Sequence, residues 1–213
     1  MVSRPDDPPE ATHPPAPPDA AFYFDLASPE AYLVAERILR VLPCAAEWQP
    51  VLARELPGTP GGGTDAAPED EAAFRERIER RAHEEGLQPL RRPADFPFDS
   101  ERAMLVATYA KSIGRTVPFA QAAFRQAFAG GHSLARMDNV LIAAAACEMH
   151  PKAVLKSAEL SRTREQLRAS TAAAARAGVT DVPAIRIGAR VFHGEGAPEA
   201  AAAYAGELMG VAR

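Results

Sequence analysis

The sequence predicts an α/β domain with a strand-helix-strand unit at its start, a strand-strand-helix unit at its end, and a long block of helices between them. Two observations carry this reading. Short apolar runs bounded by turn residues occur at residues 21–26, 45–52, 184–187 and 190–192. From residue 72 to residue 177 the apolar positions recur at helical spacing instead.

The run at 21–26, Ala-Phe-Tyr-Phe-Asp-Leu, is nearly all apolar, as a strand covered on both faces requires. It breaks at Ala27-Ser28-Pro29-Glu30, where a helix start is written twice. Ser28 can cap the first turn with its hydroxyl, and Pro29 suits the first helical position. Tyr32, Leu33, Ala35, Ile38, Leu39 and Leu42 follow at helical spacing, and Pro43 ends the element. Trp48 and Val51 give the second strand its bulk, while Pro50 places it at a sheet edge or ends it there. A strand, a helix and a strand on short connections predict a right-handed parallel βαβ unit.

Pro57-Gly58, Pro60-Gly61-Gly62-Gly63 and Pro68 mark a loop over 56–70. Helices are then expected over 72–85, from Asp99 or Ser100 to Ile113, over 118–129, 134–149 and 161–177, the last closed by Gly178 in the left-handed position after a helix. The charge alternations Arg75-Glu76-Arg77 and Glu79-Arg80-Arg81 read as a solvated helix face laced with weak ion pairs. Residues 184–187 and 190–192 flank Gly188-Ala189 and predict a hairpin with a two-residue turn. A loop at 194–198 leads to a last helix over 199–209. The domain plan is therefore a Pro-rich tail over 1–20, an α/β unit formed by 21–56 together with 178–213, and a helical insertion over 57–177.

Composition excludes several function classes. Of 213 residues, 24 are Lys or Arg and 28 Asp or Glu, a net charge of -4, which counts against a nucleic-acid partner. No apolar stretch approaches the ~18 residues of a membrane span, and Arg4 is followed by Asp6, Asp7 and prolines rather than by a signal-peptide core. The expected location is the cytoplasm. The two cysteines, Cys44 and Cys147, lie far apart, so no C-x-x-C pair, disulfide framework or metal site is expected.

A βαβ half and a ββα half separated by helices resemble the thioredoxin fold in its DsbA-like form. The first strand runs into Ser28-Pro29 at a helix start, where that superfamily keeps its active-site residue. Residues 178–184, Gly-Val-Thr-Asp-Val-Pro-Ala, resemble its loop with a cis-proline facing the site. Residues 22–33, FYFDLASPEAYL, look most like the opening of the 2-hydroxychromene-2-carboxylate isomerases and the related kappa-class glutathione transferases, which carry serine where DsbA has cysteine. Residues 92–100, from Arg92 through Pro93, Phe96 and Pro97 to Ser100, resemble a second pattern of that family. Glu30, Asp99 and Glu195 are departures: an aromatic residue, an asparagine and an acid one place later are usual.

The resemblance implies a thiol-dependent isomerase or transferase acting on a small conjugated aromatic carbonyl compound, with glutathione or another low-molecular-weight thiol as cofactor. It places Ser28 at the chemistry, Asp25, Val182, Pro183 and Glu195 around the thiol, and Glu30, Tyr32, Arg92 and Asp99 toward the substrate; relatives are often homodimers. The residues themselves keep a plain N-cap open for Ser28. A catalytically inactive binding protein on the same fold is the alternative function. Disulfide exchange is excluded on chemical grounds, because it needs an attacking and a resolving thiol and Ser28 and Ala31 occupy those places. Any thiol used here must be supplied from outside the chain.

Overall fold

The computed structural model describes residues 18–58 and 70–210. The expected Pro-rich tail lies outside them up to residue 17, as does the glycine-rich part of the expected loop, residues 59–69. Strand β1, Ala20–Phe24, is buried along its whole length. It pairs in parallel with β2, Glu47–Pro50, and antiparallel with β3, Ala184–Ile187, which in turn pairs antiparallel with β4, Arg190–His193. The sheet order is β2-β1-β3-β4. Helix α1, Pro29–Val41, connects β1 to β2, so the parallel βαβ unit forms as the pattern requires. Pro50 ends β2, which is an edge strand, and the strand is shorter than the 45–52 run.

Alternation along β1 divides the core in two. Ala20, Phe22 and Phe24 join the larger apolar cluster, while Ala21 and Tyr23 join a smaller one with Val51, Leu56, Ala174, Val179, Val182 and Ala184. On the larger side Phe22 meets Trp48 edge-on at 4.9 Å. Phe24 meets Phe124 at 5.9 Å and Tyr32 meets Phe128 at 5.8 Å. Phe124 and Phe128 belong to α4, Thr116–Phe128. The helical block is thus fused to the sheet through one aromatic core.

The block contains α2, Glu71–Glu84; α3, Glu101–Ser112; α4; α5, Met137–Ala145; and α6, Pro151–Glu159. Helix α5 is shorter than the expected 134–149, and α6 lies where the pattern predicts no helix. Its start is nonetheless encoded: His150 accepts the Lys152 N–H at 3.2 Å, and Pro151 takes the first position. Helix α7, Ser161–Arg176, ends before Gly178, whose φ is +91°.

The expected boundary at 177 placed α7 in the insertion, but it covers the Ala21–Tyr23 side of the sheet. Thr171 accepts the Leu52 N–H at 3.0 Å, and Ser170 donates to the Pro50 carbonyl at 3.1 Å. A strand as apolar as β1 needs cover on that side too. In the β3–β4 turn only Gly188 has positive φ, +58°, which suits a turn that begins on glycine. Helix α8, Ala197–Leu208, closes the order.

Candidate active site

The site begins where β1 ends. Asp25 is 4% exposed, and its carboxylate accepts the Ala27 N–H at 3.0 Å and the Ala53 N–H at 2.9 Å. Burial pushes its pKa up, against the pull of those hydrogen bonds, one from Ser100 and the nearby Arg54. With the Ser28 N–H donating to the Asp25 carbonyl at 3.0 Å, Asp25 builds the turn that aims the chain into α1. Its oxygens are therefore committed to the protein.

Ser28 is the N-cap of α1, half-buried, and its Oγ accepts the Ala31 N–H at 3.1 Å. The Tyr32 N–H donates to the Ser28 carbonyl, and Pro29 has no N–H to place. Among the described residues, two donors at this helix start lack a protein acceptor: the Ser28 hydroxyl proton and the Glu30 N–H. Two such donors at the positive end of a helix suit an anion.

The loop after α7 lies alongside. Register sets this, because Tyr23 pairs with Ala184 and the residues after β1 therefore run beside Pro183 and Val182. The Val182–Pro183 peptide is cis, as is Phe96–Pro97. The Pro183 carbonyl accepts the Gly194 N–H at 2.9 Å, and the Gly58 N–H holds the Thr180 carbonyl at 2.7 Å. His193 accepts the Thr180 N–H on Nε2 at 3.1 Å, which puts the proton of the neutral ring on Nδ1. Burial lowers the His193 pKa against the pull of Asp181. The Val182 N–H is taken by the Asp181 carboxylate at 2.7 Å.

The acidic residues meet a partner from the helical block. Arg77 of α2 pairs with Glu30 at 3.0 Å and with Glu195, and its guanidinium lies 5.1 Å from the centre of the Phe74 ring. Burial raises the Glu30 pKa more than Arg77 lowers it, and Glu195 and Asp181 add to the rise. Arg37, 3% exposed, donates to the Glu195 carbonyl and pairs with Glu199 and with Glu85. Glu195 is thus fixed through both its backbone and its side chain.

The structure therefore brings Ser28, Glu30, Val182, Pro183 and Glu195 to one end of the sheet. Tyr32 lies in the aromatic core, 2% exposed, with its phenol pushed up to about 12 by burial and by Glu36. Asp99 accepts the Glu101 N–H at 3.0 Å and pairs with Arg54 at 2.9 Å. Arg92 pairs with Glu71 and stacks on Phe74 and Phe96, so it reaches the site only through the Phe74 ring it shares with Arg77. Local charge alternation alone makes Arg77 a solvated charge; Phe74, the aromatic residue just before Arg75-Glu76-Arg77, is the signal against that. Cys44 and Cys147 belong to other parts of the fold, and burial raises both thiols. Among the described residues no cluster of His, Cys, Asp and Glu could hold a metal, and no helix is long and apolar enough to cross a membrane.

The model of the DSBA-like thioredoxin domain family matches residues 21–205. The chain belongs to that family. Among solved structures, this DSBA-like protein is similar to a 2-hydroxychromene-2-carboxylate isomerase, at TM-score 0.78 and 18% identity over 89% of this chain and 95% of that one. It is also similar to the cytosolic disulfide reductase DsbM from Pseudomonas aeruginosa, solved with GSH, at TM-score 0.60 and 12% identity over 89% of this chain and 98% of that one. No curated protein matches the sequence. At such identities the likeness establishes the DSBA-like fold of the chain, with a mixed four-stranded sheet.

Proposed function

We propose that the protein is a thiol-dependent isomerase or transferase of the DSBA-like family, which uses a low-molecular-weight thiol such as glutathione on a conjugated carbonyl compound. The observation that carries this reading is the pair of donors at the start of α1, the Ser28 O–H and the Glu30 N–H. They suit a thiolate, and this chain has no thiol of its own there. Each charge-assisted hydrogen bond contributes about 1.5–3 kcal/mol, enough to favour the ionised form of a bound thiol at neutral pH.

When bound, the thiol supplies a nucleophile that adds reversibly to a conjugated carbon, loosens the double bond for rotation and leaves again, with no net redox change. Ser28 keeps its proton throughout and only donates a hydrogen bond to sulfur. Asp25 holds the turn that presents Ser28, and the cis-proline loop walls the other side. The solved structure of the reductase DsbM with GSH supports a glutathione-type thiol as the first cofactor to try. Calorimetric titration with glutathione should show binding that weakens at least tenfold in Ser28→Ala, the loss expected for one such hydrogen bond. No binding at millimolar thiol, or binding indifferent to the substitution, rejects the proposal.

Two observations favour a second reading, a non-catalytic binding protein. The Glu30–Arg77–Glu195 bridge draws α2 across the start of α1, and the Asp181 carboxylate already holds the Val182 N–H that an extended peptide-like thiol would use. Absence of turnover of conjugated aromatic carbonyl substrates, whether or not a thiol binds, would select this reading.

A further inference from the structure

A cavity of about 590 Å³ opens on the side of the sheet away from α1, within the range of small-molecule sites, roughly 300–1,000 Å³. Register explains its walls. Tyr23 pairs with Gln49 and Ala21 with Arg186, so Tyr23, Gln49 and Arg186 all project to the side that α7 covers. Ala173 and Ala174 of α7, with Ala177 just after its end, face them, and these small side chains leave the space open. Lys111, from the last turn of α3, completes the lining. None of the residues at the start of α1 takes part.

The charges are arranged unevenly. The two cationic side chains are set into the wall, Arg186 at 21% and Lys111 at 32% exposure, while their partners Asp19 and Glu47 stand out at 75% and 61%. Arg186 reaches Asp19 at 2.9 Å, the Gly188 carbonyl at 2.6 Å and the Tyr23 hydroxyl at 3.3 Å, where the phenol oxygen accepts and keeps its own proton to give. Lys111 reaches Glu47 at 3.0 Å. Ion pairs to such exposed carboxylates contribute little, so an anion seated inside the cavity can replace them.

We propose that this cavity is a second binding site, for a small aromatic carboxylate whose carboxylate sits between Lys111 and Arg186 and whose ring lies on the alanines of α7. The test uses 1-naphthoate, with 1-naphthamide as its neutral counterpart, titrated into the full chain. Naphthoate should bind, with naphthamide about tenfold weaker or more, and Lys111→Met or Arg186→Met should each cost about tenfold, the worth of one charge-assisted contact. Asp19→Asn and Glu47→Gln should tighten binding, because each removes a competitor for a cation. Ala173→Leu and Ala177→Leu should abolish it by filling the space. Both alanines are exposed, so these two variants keep the fold even if a cation variant does not. Ser28→Ala should leave naphthoate binding unchanged, which separates this site from the thiol site. No binding at millimolar naphthoate, equal binding of naphthamide, or indifference to the two leucines would overturn the proposal.

Discussion

Replacing Ser28 by cysteine turns the geometry of the helix start into a measurable ionisation. The new thiol would stand where Oγ now accepts the Ala31 N–H at 3.1 Å, beside the Glu30 N–H. As a thiolate it gains about 1.5–3 kcal/mol from a charge-assisted hydrogen bond and about 0.3–1 kcal/mol from the helix dipole. The sum, about 2–4 kcal/mol, corresponds to roughly 1.5–3 pKa units. From an ordinary value of about 8.5 the thiol should fall to about 5.5–7. Glu30 opposes the shift, but its charge is shared with Arg77 at 3.0 Å. The assay is the pH profile of iodoacetamide alkylation, with Cys44 and Cys147 as slow internal references because burial raises both. A midpoint at or above 8.5 would refute the claim that this helix start receives anions. Ser28→Cys alone should gain no disulfide reductase turnover. Adding Ala31→Cys should create it, since the resolving thiol is the missing element.

Three further outcomes follow from packing and charge. Glu30 carries a pKa raised above 4.5, chiefly by burial, so its protonated form is favoured by folding and the stability it contributes is lost as pH rises from 4.5 through the raised value. Glu30→Gln should escape that loss, and its urea midpoint relative to the native chain should rise across this window and then level off. A Cβ on Gly58 would lie 2.6 Å from the Thr180 carbonyl oxygen, a backbone atom that anchors the cis-proline loop. Gly58→Ala should therefore cost about 1–3 kcal/mol in chemical denaturation, the usual range for overpacking; an unchanged midpoint would show that the loop is not held there. Phe128 is fully buried among Tyr32, Phe96, Phe98 and Phe124. Phe128→Ala should lose about 3–5 kcal/mol, and a loss below about 1 kcal/mol would mean that the insertion and the sheet do not share this core.

The sequence shows most plainly those features whose cause is local. Ser28-Pro29 starts a helix by capping and fixed φ, Pro50 ends an edge strand for want of an N–H, and Gly188 opens a turn because it tolerates positive φ; all three stand where the pattern puts them. Errors arise where termination depends on context. Helix α5 stops at Ala145, and the chain turns with Glu148 at a φ of +59°, although alanine-rich helical spacing continues to Met149. The new start at His150-Pro151 is local and readable, but only once the previous helix is known to have ended. Helix α7 has helical spacing like its predecessors, and nothing in that spacing distinguishes a helix on the sheet from one in the insertion.

The site is less legible than the fold for a similar reason. Arg77 lies 47 residues from Glu30 and 118 from Glu195, and each of the three belongs to a different part of the chain: the first βαβ unit, the insertion, and the loop before the last helix. Read locally, Arg77 has acidic neighbours on its own helix and needs no distant partner. In the fold, Phe74 sets the guanidinium over the start of α1, and two carboxylates from opposite halves of the α/β unit close on it. An ion pair of exposed helix neighbours contributes about 0.3–0.5 kcal/mol. A guanidinium shared by two half-buried carboxylates, with Asp181 adding to the charge around Glu30, instead depends on three segments that only the fold brings together. The insertion therefore does more than enlarge the domain: it supplies the guanidinium that pairs with Glu30, a departure from the aromatic residue of the resembling family, next to the donors of Ser28. Without Arg77 the Glu30 carboxyl would lose the partner that opposes its burial, and its pKa would rise further.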